Sequence, residues 1–145
     1  MKDLSRKLDI ALIVITHNLG VVARYADRVI VMYAGQLVEE GEADDVFHRP
    51  RHPYSMGLLR SVPRLDRPRG AKLETIEGLP PNLAHLPTGC RFAPRCPFKI
   101  EICSTEPLLL ADDLGGLTRC HRHSEIAAGK IAWSVAGDAI QQTEM

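Results

Sequence analysis

Apolar residues run without interruption from Ile10 to Ile15, between Asp9 and the polar pair Thr16-His17. A continuous run rich in Ile, Leu and Val predicts a strand over Asp9–Thr16 covered on both faces. Residues 1–8 mix both charge signs and read as the end of a surface helix. Beyond the strand the period changes. Asn18 suits the cap of a short helix from Leu19 to Tyr25, in which Leu19, Val22 and Ala23 share one face. Arg28 to Tyr33 is a second apolar strand. Ala34-Gly35 turns it into Gln36 to Glu40, which makes a hairpin closed by Gly41. Glu42 to His48 reads as a short helix whose leading acids suit the helix dipole. Pro50 and Pro53 then interrupt the chain, and a further helix is predicted from Tyr54 to Ser61, ending before Pro63.

The texture changes at Arg64. Arg64, Arg67, Arg69 and Lys72 stand among a proline and a glycine. A solvated connector accounts for them more simply than a basic docking patch. A short strand-like segment lies near Leu73 to Ile76. Gly78-Leu79-Pro80-Pro81-Asn82 opens a proline-rich stretch that ends at Gly89. Adjacent prolines favour an extended backbone without ladder hydrogen bonds. Four cysteines follow, and from Ser124 a modest helical pattern leads into a polar end. The expected organisation is therefore residues 1–63, a connector over 64–89, a cysteine-bearing unit over 90–123 and a weakly helical tail over 124–145. No internal repeat is present.

Composition narrows the class. The chain has 145 residues, 45% hydrophobic and 25% charged, with a formal net charge of zero. Such a balance provides no long-range field for nucleic acid or an anionic membrane. No apolar run is long enough to span a bilayer. The first nine residues carry both charge signs and the run after them lacks a cleavage site, so a signal peptide is not expected. A cytosolic setting follows as an expectation, and there four cysteines favour metal ligation over disulfides.

A lone histidine is ordinarily a packed or surface residue. His17 is set differently, at the end of a predicted buried strand, where open α/β sheets bind ligands. The stretch Ile13-Val14-Ile15-Thr16-His17-Asn18-Leu19-Gly20-Val21-Val22 resembles the histidine switch loop of ABC transporter ATPases. Many members of that family carry an acid where this chain has Asn18; either residue caps the following helix. The resemblance implies an α/β fold, the C-terminal portion of a P-loop NTPase (ABC ATPase) domain. It also implies that His17 contacts the γ-phosphate of ATP and helps hold the attacking water and a catalytic glutamate. The chemistry suits the residue type. Phosphoryl transfer needs positioning and charge stabilisation, and a neutral imidazole donates one hydrogen bond and accepts another.

His52-Pro53-Tyr54-Ser55-Met56-Gly57-Leu58-Leu59-Arg60-Ser61-Val62-Pro63 resembles the HPYT-x-x-LL-x-S-x-P signature of the peptide-importer branch, which serves dipeptide, oligopeptide and nickel uptake. On this resemblance the complete protein binds ATP and Mg²⁺ and pairs with a second ATPase subunit. It docks on two membrane permease subunits at the cytoplasmic face of the membrane, with peptide delivered by a solute-binding protein. Nucleic acid is no partner. The resemblance covers residues 1–62. The sequence contains no G-x-x-x-x-G-K-[ST] phosphate loop, no LSGGQ-like signature and no apolar strand ending in Asp-Glu. This chain alone is expected neither to bind ATP tightly nor to hydrolyse it.

The cysteines are spaced Cys90-x5-Cys96-x6-Cys103-x16-Cys120. Burial as small hydrophobes would not require such clustering. Structural zinc sites bring knuckles with two to four intervening residues, shorter than any gap here. A proline directly after Cys96 suits an iron–sulfur cluster, but the spacing matches no ferredoxin pattern. Spacing alone leaves zinc and cluster level. Gly78-Leu79-Pro80-Pro81-Asn82, then Gly89-Cys90-Arg91-Phe92-Ala93-Pro94-Arg95-Cys96-Pro97, then the remaining two cysteines, resemble the C-terminal extension of peptide-importer ATPases. Several members hold a [4Fe-4S] cluster there. The resemblance implies Cys90, Cys96, Cys103 and Cys120 as its ligands, with zinc as the alternative. His121 and His123 are further donors beside the last cysteine, with exposed polar residues as the plainer account. Arg91, Arg95 and Arg119 are expected to offset the negative charge of a thiolate-bound group. Stapling a unit with little core is the default role. A reading of another class stands beside this one: a free-standing, non-enzymatic metal-binding module.

Overall fold

The computed structural model describes residues 2–62 and 75–133. The connector over Arg64–Lys72, Leu73 and Glu74 of the strand-like segment, and the tail beyond Trp133 lie outside the described residues. Helix α1 spans Lys2–Leu8. It is closed by Asp9 in a left-handed conformation (φ 50°) and by Ser5, whose Oγ donates to the Ile10 carbonyl at 2.6 Å.

The strand expected over Asp9–Thr16 is not formed. Residues 10–16 have no regular structure, and Ile13 and Ile15 are 88% and 97% exposed. A strand exists only where neighbours take up its N–H and C=O groups, and no described strand lies beside this segment. Apolar character alone cannot supply that partner.

Helix α2, Leu19–Tyr25, starts where Asn18 Oδ1 accepts from the Val21 N–H at 3.2 Å. Strands β1 (Arg28–Tyr33) and β2 (Gln36–Glu42) pair antiparallel. Ala34 and Gly35 connect them, both at positive φ (48° and 76°), as a twist-matched two-residue hairpin turn requires. Strand β2 runs through Gly41 to Glu42, beyond the expected end at Glu40. Val29 pairs with Gly41 and Arg28 with Glu42, and the Arg28 guanidinium bridges Glu40 and Glu42. Helix α3 covers Ala43–His48. Helix α4 covers Pro53–Arg60, starting on the proline because a missing N–H costs nothing in the first turn.

The remainder contributes two 3-10 turns, Ala93–Arg95 and Glu101–Ser104, two short strands, β3 (Leu110–Ala111) and β4 (Leu117–Thr118), and helix α5, His123–Ala127. Sheet order is β1-β2-β4-β3, every pair antiparallel. The cysteine-bearing region therefore completes the sheet begun by the hairpin, through Glu39↔Thr118 and Glu40↔Leu117. Gly116 makes that approach possible: a Cβ there would meet the Glu40 carbonyl oxygen at 2.4 Å.

The core joins the same parts. Tyr33, Val38 and Phe92 are buried together, with Tyr54 packed against them. Phe92 is 1% exposed. Its ring meets Tyr33 edge-on at 5.2 Å and Tyr54 at 5.5 Å between centroids, separations typical of favourable aromatic pairs. Among the described residues no helix is long and apolar enough to cross a membrane.

Candidate functional site

Each cysteine is held by a local turn or strand. Gly89 lies at φ 80°, and its missing side chain lets the chain press on Cys103-Ser104, where a Cβ would come within 2.4 Å of the Ser104 carbonyl. Cys90 N then donates to the Cys103 carbonyl at 3.0 Å. The Cys90 carbonyl accepts from Ala93 N at 3.0 Å, opening the first 3-10 turn; Cys96 follows it, and Cys103 lies inside the second. Cys120 follows β4, held by Arg119 N donating to the Val38 carbonyl at 2.8 Å. The result is convergence: all four cysteines line one open cleft of about 340 Å³, measured out to open solvent. None is in a disulfide.

Burial pushes the Cys90, Cys96 and Cys120 thiols up. Cys90 lies above the ordinary thiol value. Burial raises Cys96 to about 11 and Cys120 to about 12, with the neighbouring cysteines adding to the rise. At neutral pH such thiols are protonated unless a cation compensates their charge. Among the described residues no three His, Cys, Asp or Glu side chains are placed to grip a single metal ion.

Arg91, Arg95 and Arg119, expected to offset charge at the cysteines, spend their donors on backbone carbonyls instead. Arg91 donates to Ala34 at 2.7 Å. Arg95 donates to Ile76 and Glu77, both at 2.9 Å. Arg119 donates to Leu37 at 3.0 Å and to Pro107 at 3.1 Å. They staple the cysteine region to the hairpin, since carbonyls left by irregular loops need donors. Arg122, unnoticed in the sequence, is the arginine that borders the cleft. No pattern in the sequence set it apart from Arg91, Arg95 and Arg119, which stand directly beside cysteines. His121 also borders the cleft and donates from Nε2 to the Thr105 carbonyl at 3.0 Å. His123 donates from Nδ1 to the Cys120 carbonyl at 2.8 Å. Both imidazoles are half-buried and tie loops together.

The segment beginning at His52 forms the wall between core and cleft. Glu39 of β2 is 2% exposed, and its carboxylate accepts from the backbone N–H of Arg51 at 2.5 Å and of His52 at 3.1 Å. Burial outweighs these bonds and holds its carboxyl above the usual range. His52, 1% exposed, caps α4 by accepting from Tyr54 N at Nδ1, 3.0 Å away. Burial lowers its pKa to about 3, so the ring is neutral. Arg51 forks onto Asp113 at 2.8 and 2.9 Å, tying the start of α4 to the turn between β3 and β4. No sequence pattern marked Glu39, because its partners are backbone groups twelve and thirteen residues away.

His17 stands exposed on the bend between the apolar segment and α2, away from the cysteine cleft. The bend is fixed by Asn18 N donating to Thr16 Oγ1 at 3.0 Å.

Residues 38–103, from inside β2 to the third cysteine, match the family described as oligopeptide/dipeptide transporter, C-terminal region. The chain is also 53% identical over 125 residues to the oligopeptide transport ATP-binding protein OppD of Salmonella typhimurium, covering 86% of this chain and 37% of that protein. The chain is similar to the C-terminal part of oligopeptide/dipeptide transporter ATP-binding proteins. The dipeptide transport ATP-binding protein DppD of Bacillus subtilis is 55% identical over 102 residues, 70% of this chain and 30% of its own length. OppD of Haemophilus influenzae is 48% identical over 125 residues, 86% of this chain and 38% of its own length. The chain thus spans well under half the length of these transporter relatives.

Proposed function

We propose that this chain is the C-terminal part of the ATP-binding subunit of a peptide-importing ABC transporter, coupling ATP hydrolysis with Mg²⁺ to uptake. The observation that carries the reading is the 53% identity to an oligopeptide transport ATP-binding protein over 125 residues. The exposed apolar segment over residues 10–16 agrees with it, since such a run is made to be covered by a sheet. His17, at the end of that run, is the residue that would face the terminal phosphate. An imidazole there holds the attacking water in line, which is what phosphoryl transfer needs most. Partners on this reading are a second ATPase subunit, two permeases and, indirectly, a solute-binding protein, all organised at the cytoplasmic face of the membrane.

The cysteine cleft belongs to the same proposal as the seat of a [4Fe-4S] cluster held by Cys90, Cys96, Cys103 and Cys120. The donor set fits: four thiols border one cleft, and burial leaves Cys96 and Cys120 in need of cationic compensation. The choice of a cluster over zinc rests on the resemblance of the cysteine segment to the C-terminal extension of peptide-importer ATPases. When bound, the cluster supplies a covalent staple and a one-electron centre. The chain's own residues shape the seat: Gly89 sets the approach of Cys90 to Cys103, and β4 delivers Cys120.

Two measurements test the proposal. In the complete transporter reconstituted in vesicles, His17→Ala should abolish most ATP turnover; unchanged turnover overturns the assignment of His17. Anaerobic purification should yield iron and acid-labile sulfide with the chain; stoichiometric zinc without sulfide overturns the cluster.

A further inference from the structure

We infer that Arg122 and Glu125, paired at the rim of the cysteine cleft, set the electrostatic environment of the thiolate-bound group there: Arg122 as its counter-charge and Glu125 as the clamp that aims and partly neutralises it. The inference rests on the cluster reading above and concerns how the protein controls that group.

Geometry assigns the role. Arg122 is the only arginine or lysine bordering the cleft among the described residues. Its backbone N–H points to Cys120 Sγ at 3.4 Å, so the residue is anchored to a ligand. The guanidinium is fixed on three sides. Nε and NH2 take Glu125 Oε1 and Oε2 at 3.0 and 2.6 Å, and NH1 donates to the Phe98 carbonyl at 3.0 Å. Phe98 itself borders the cleft. A forked carboxylate grip with a third donor to a cleft-wall carbonyl leaves the guanidinium little freedom to swing into solvent. Local sequence makes this possible: Arg122 is the residue preceding α5 and Glu125 lies in the first turn of that helix, three positions apart on one helical face.

Arg91, Arg95 and Arg119 are not among the residues that border the cleft. A cation held beside thiolate sulfurs stabilises the more negative, reduced form of a cluster, as other neighbouring charges do. Removing it makes reduction harder, and removing the clamping acid makes reduction easier.

The test uses the full chain, loaded anaerobically with ferrous iron and sulfide, in four forms: unaltered, Arg122→Met, Arg122→Lys and Glu125→Gln. Iron and sulfide per chain are measured first, then the midpoint potential by electron paramagnetic resonance during redox titration. The expected result is comparable loading. Arg122→Met should shift the reduction equilibrium about tenfold toward the oxidised form, about 59 mV for one electron. Glu125→Gln should shift it in the opposite direction, and Arg122→Lys should recover most of the unaltered value. Equal midpoints in all four loaded forms overturn the inference while the cluster reading stands. Shifts of the same sign in Arg122→Met and Glu125→Gln also overturn it, since a general loosening of the rim would do that. If Arg122→Met loads no iron, Glu125→Gln alone decides by the sign of its shift. If the unaltered chain takes up no iron and sulfide, the cluster reading fails and this inference with it.

Discussion

Gly89→Ala isolates the contact on which the cysteine cleft is built. At φ 80° an alanine pays about 1–2 kcal/mol for the left-handed backbone. Its Cβ would also stand 2.4 Å from the Ser104 carbonyl carbon and oxygen and 2.6 Å from the Cys103 oxygen, against an ordinary contact of 3.4 Å or more. All three atoms are backbone, so the two chain segments must separate by about 1 Å, and overpacking of that kind costs about 1–3 kcal/mol. The total is about 2–5 kcal/mol, a large part of the about 5–15 kcal/mol that holds a domain folded. Gly115→Ala is the control. Gly115 has φ 78° and nothing within 4 Å of its Cβ position, so only the backbone cost applies. Urea unfolding of the two variants should place Gly89→Ala below Gly115→Ala by about 1–3 kcal/mol. Alkylation of the metal-free chain should also quicken in Gly89→Ala alone, because Cys90 and Cys103 part. Equal unfolding midpoints would refute the reasoning that close approach, and not conformation, demands the glycine.

Two other outcomes follow from the wall of the cleft. Glu39→Gln puts an amide donor against one of two backbone N–H groups and should cost on the order of 1–3 kcal/mol at pH 4. Because burial raises the Glu39 carboxyl above 4.5 in the folded chain, its protonated form stabilises fully below that value, and this contribution fades as pH rises through the folded value. The stability gap to Glu39→Gln should therefore shrink between pH 4 and pH 7 in urea titrations; a gap that widens contradicts the raised pKa. Phe92→Ala should lose about 3–5 kcal/mol, read by the same unfolding curves, because the ring is 1% exposed and faces both Tyr33 and Tyr54; a loss under about 1 kcal/mol would deny it the centre of the core.

What the sequence disclosed was decided locally. The Asn18 cap, the hairpin turn at Ala34-Gly35 and the helix expected from Tyr54 to Ser61, which the structure forms over Pro53–Arg60, each depend on residues within a few positions, and their boundaries fall within two residues of expectation. The apolar run over residues 10–16 depended on neighbours that local pattern cannot supply. The two-residue strands β3 and β4 are too short to carry a period at all. At the site, the four cysteines crowded in the sequence line one cleft in the structure. Which arginine faces them was not legible. Charge beside a cysteine in sequence says nothing of which carbonyls the intervening loops leave in want of donors.

The pairing of β2 with β4 also governs the order of events at the ribosome. Thr118 follows Glu39, its partner across the ladder, by 79 residues. At about 5–20 residues per second, the hairpin waits about 4–16 s after its own synthesis before the strand that covers its second edge has been made. During that interval the row of unpaired amides on β2 is open to any other extended chain. Nascent copies on one messenger are thus exposed to mutual sticking until the last cysteine leaves the tunnel, and expression should respond to holding chaperones more than a chain of this length would otherwise require.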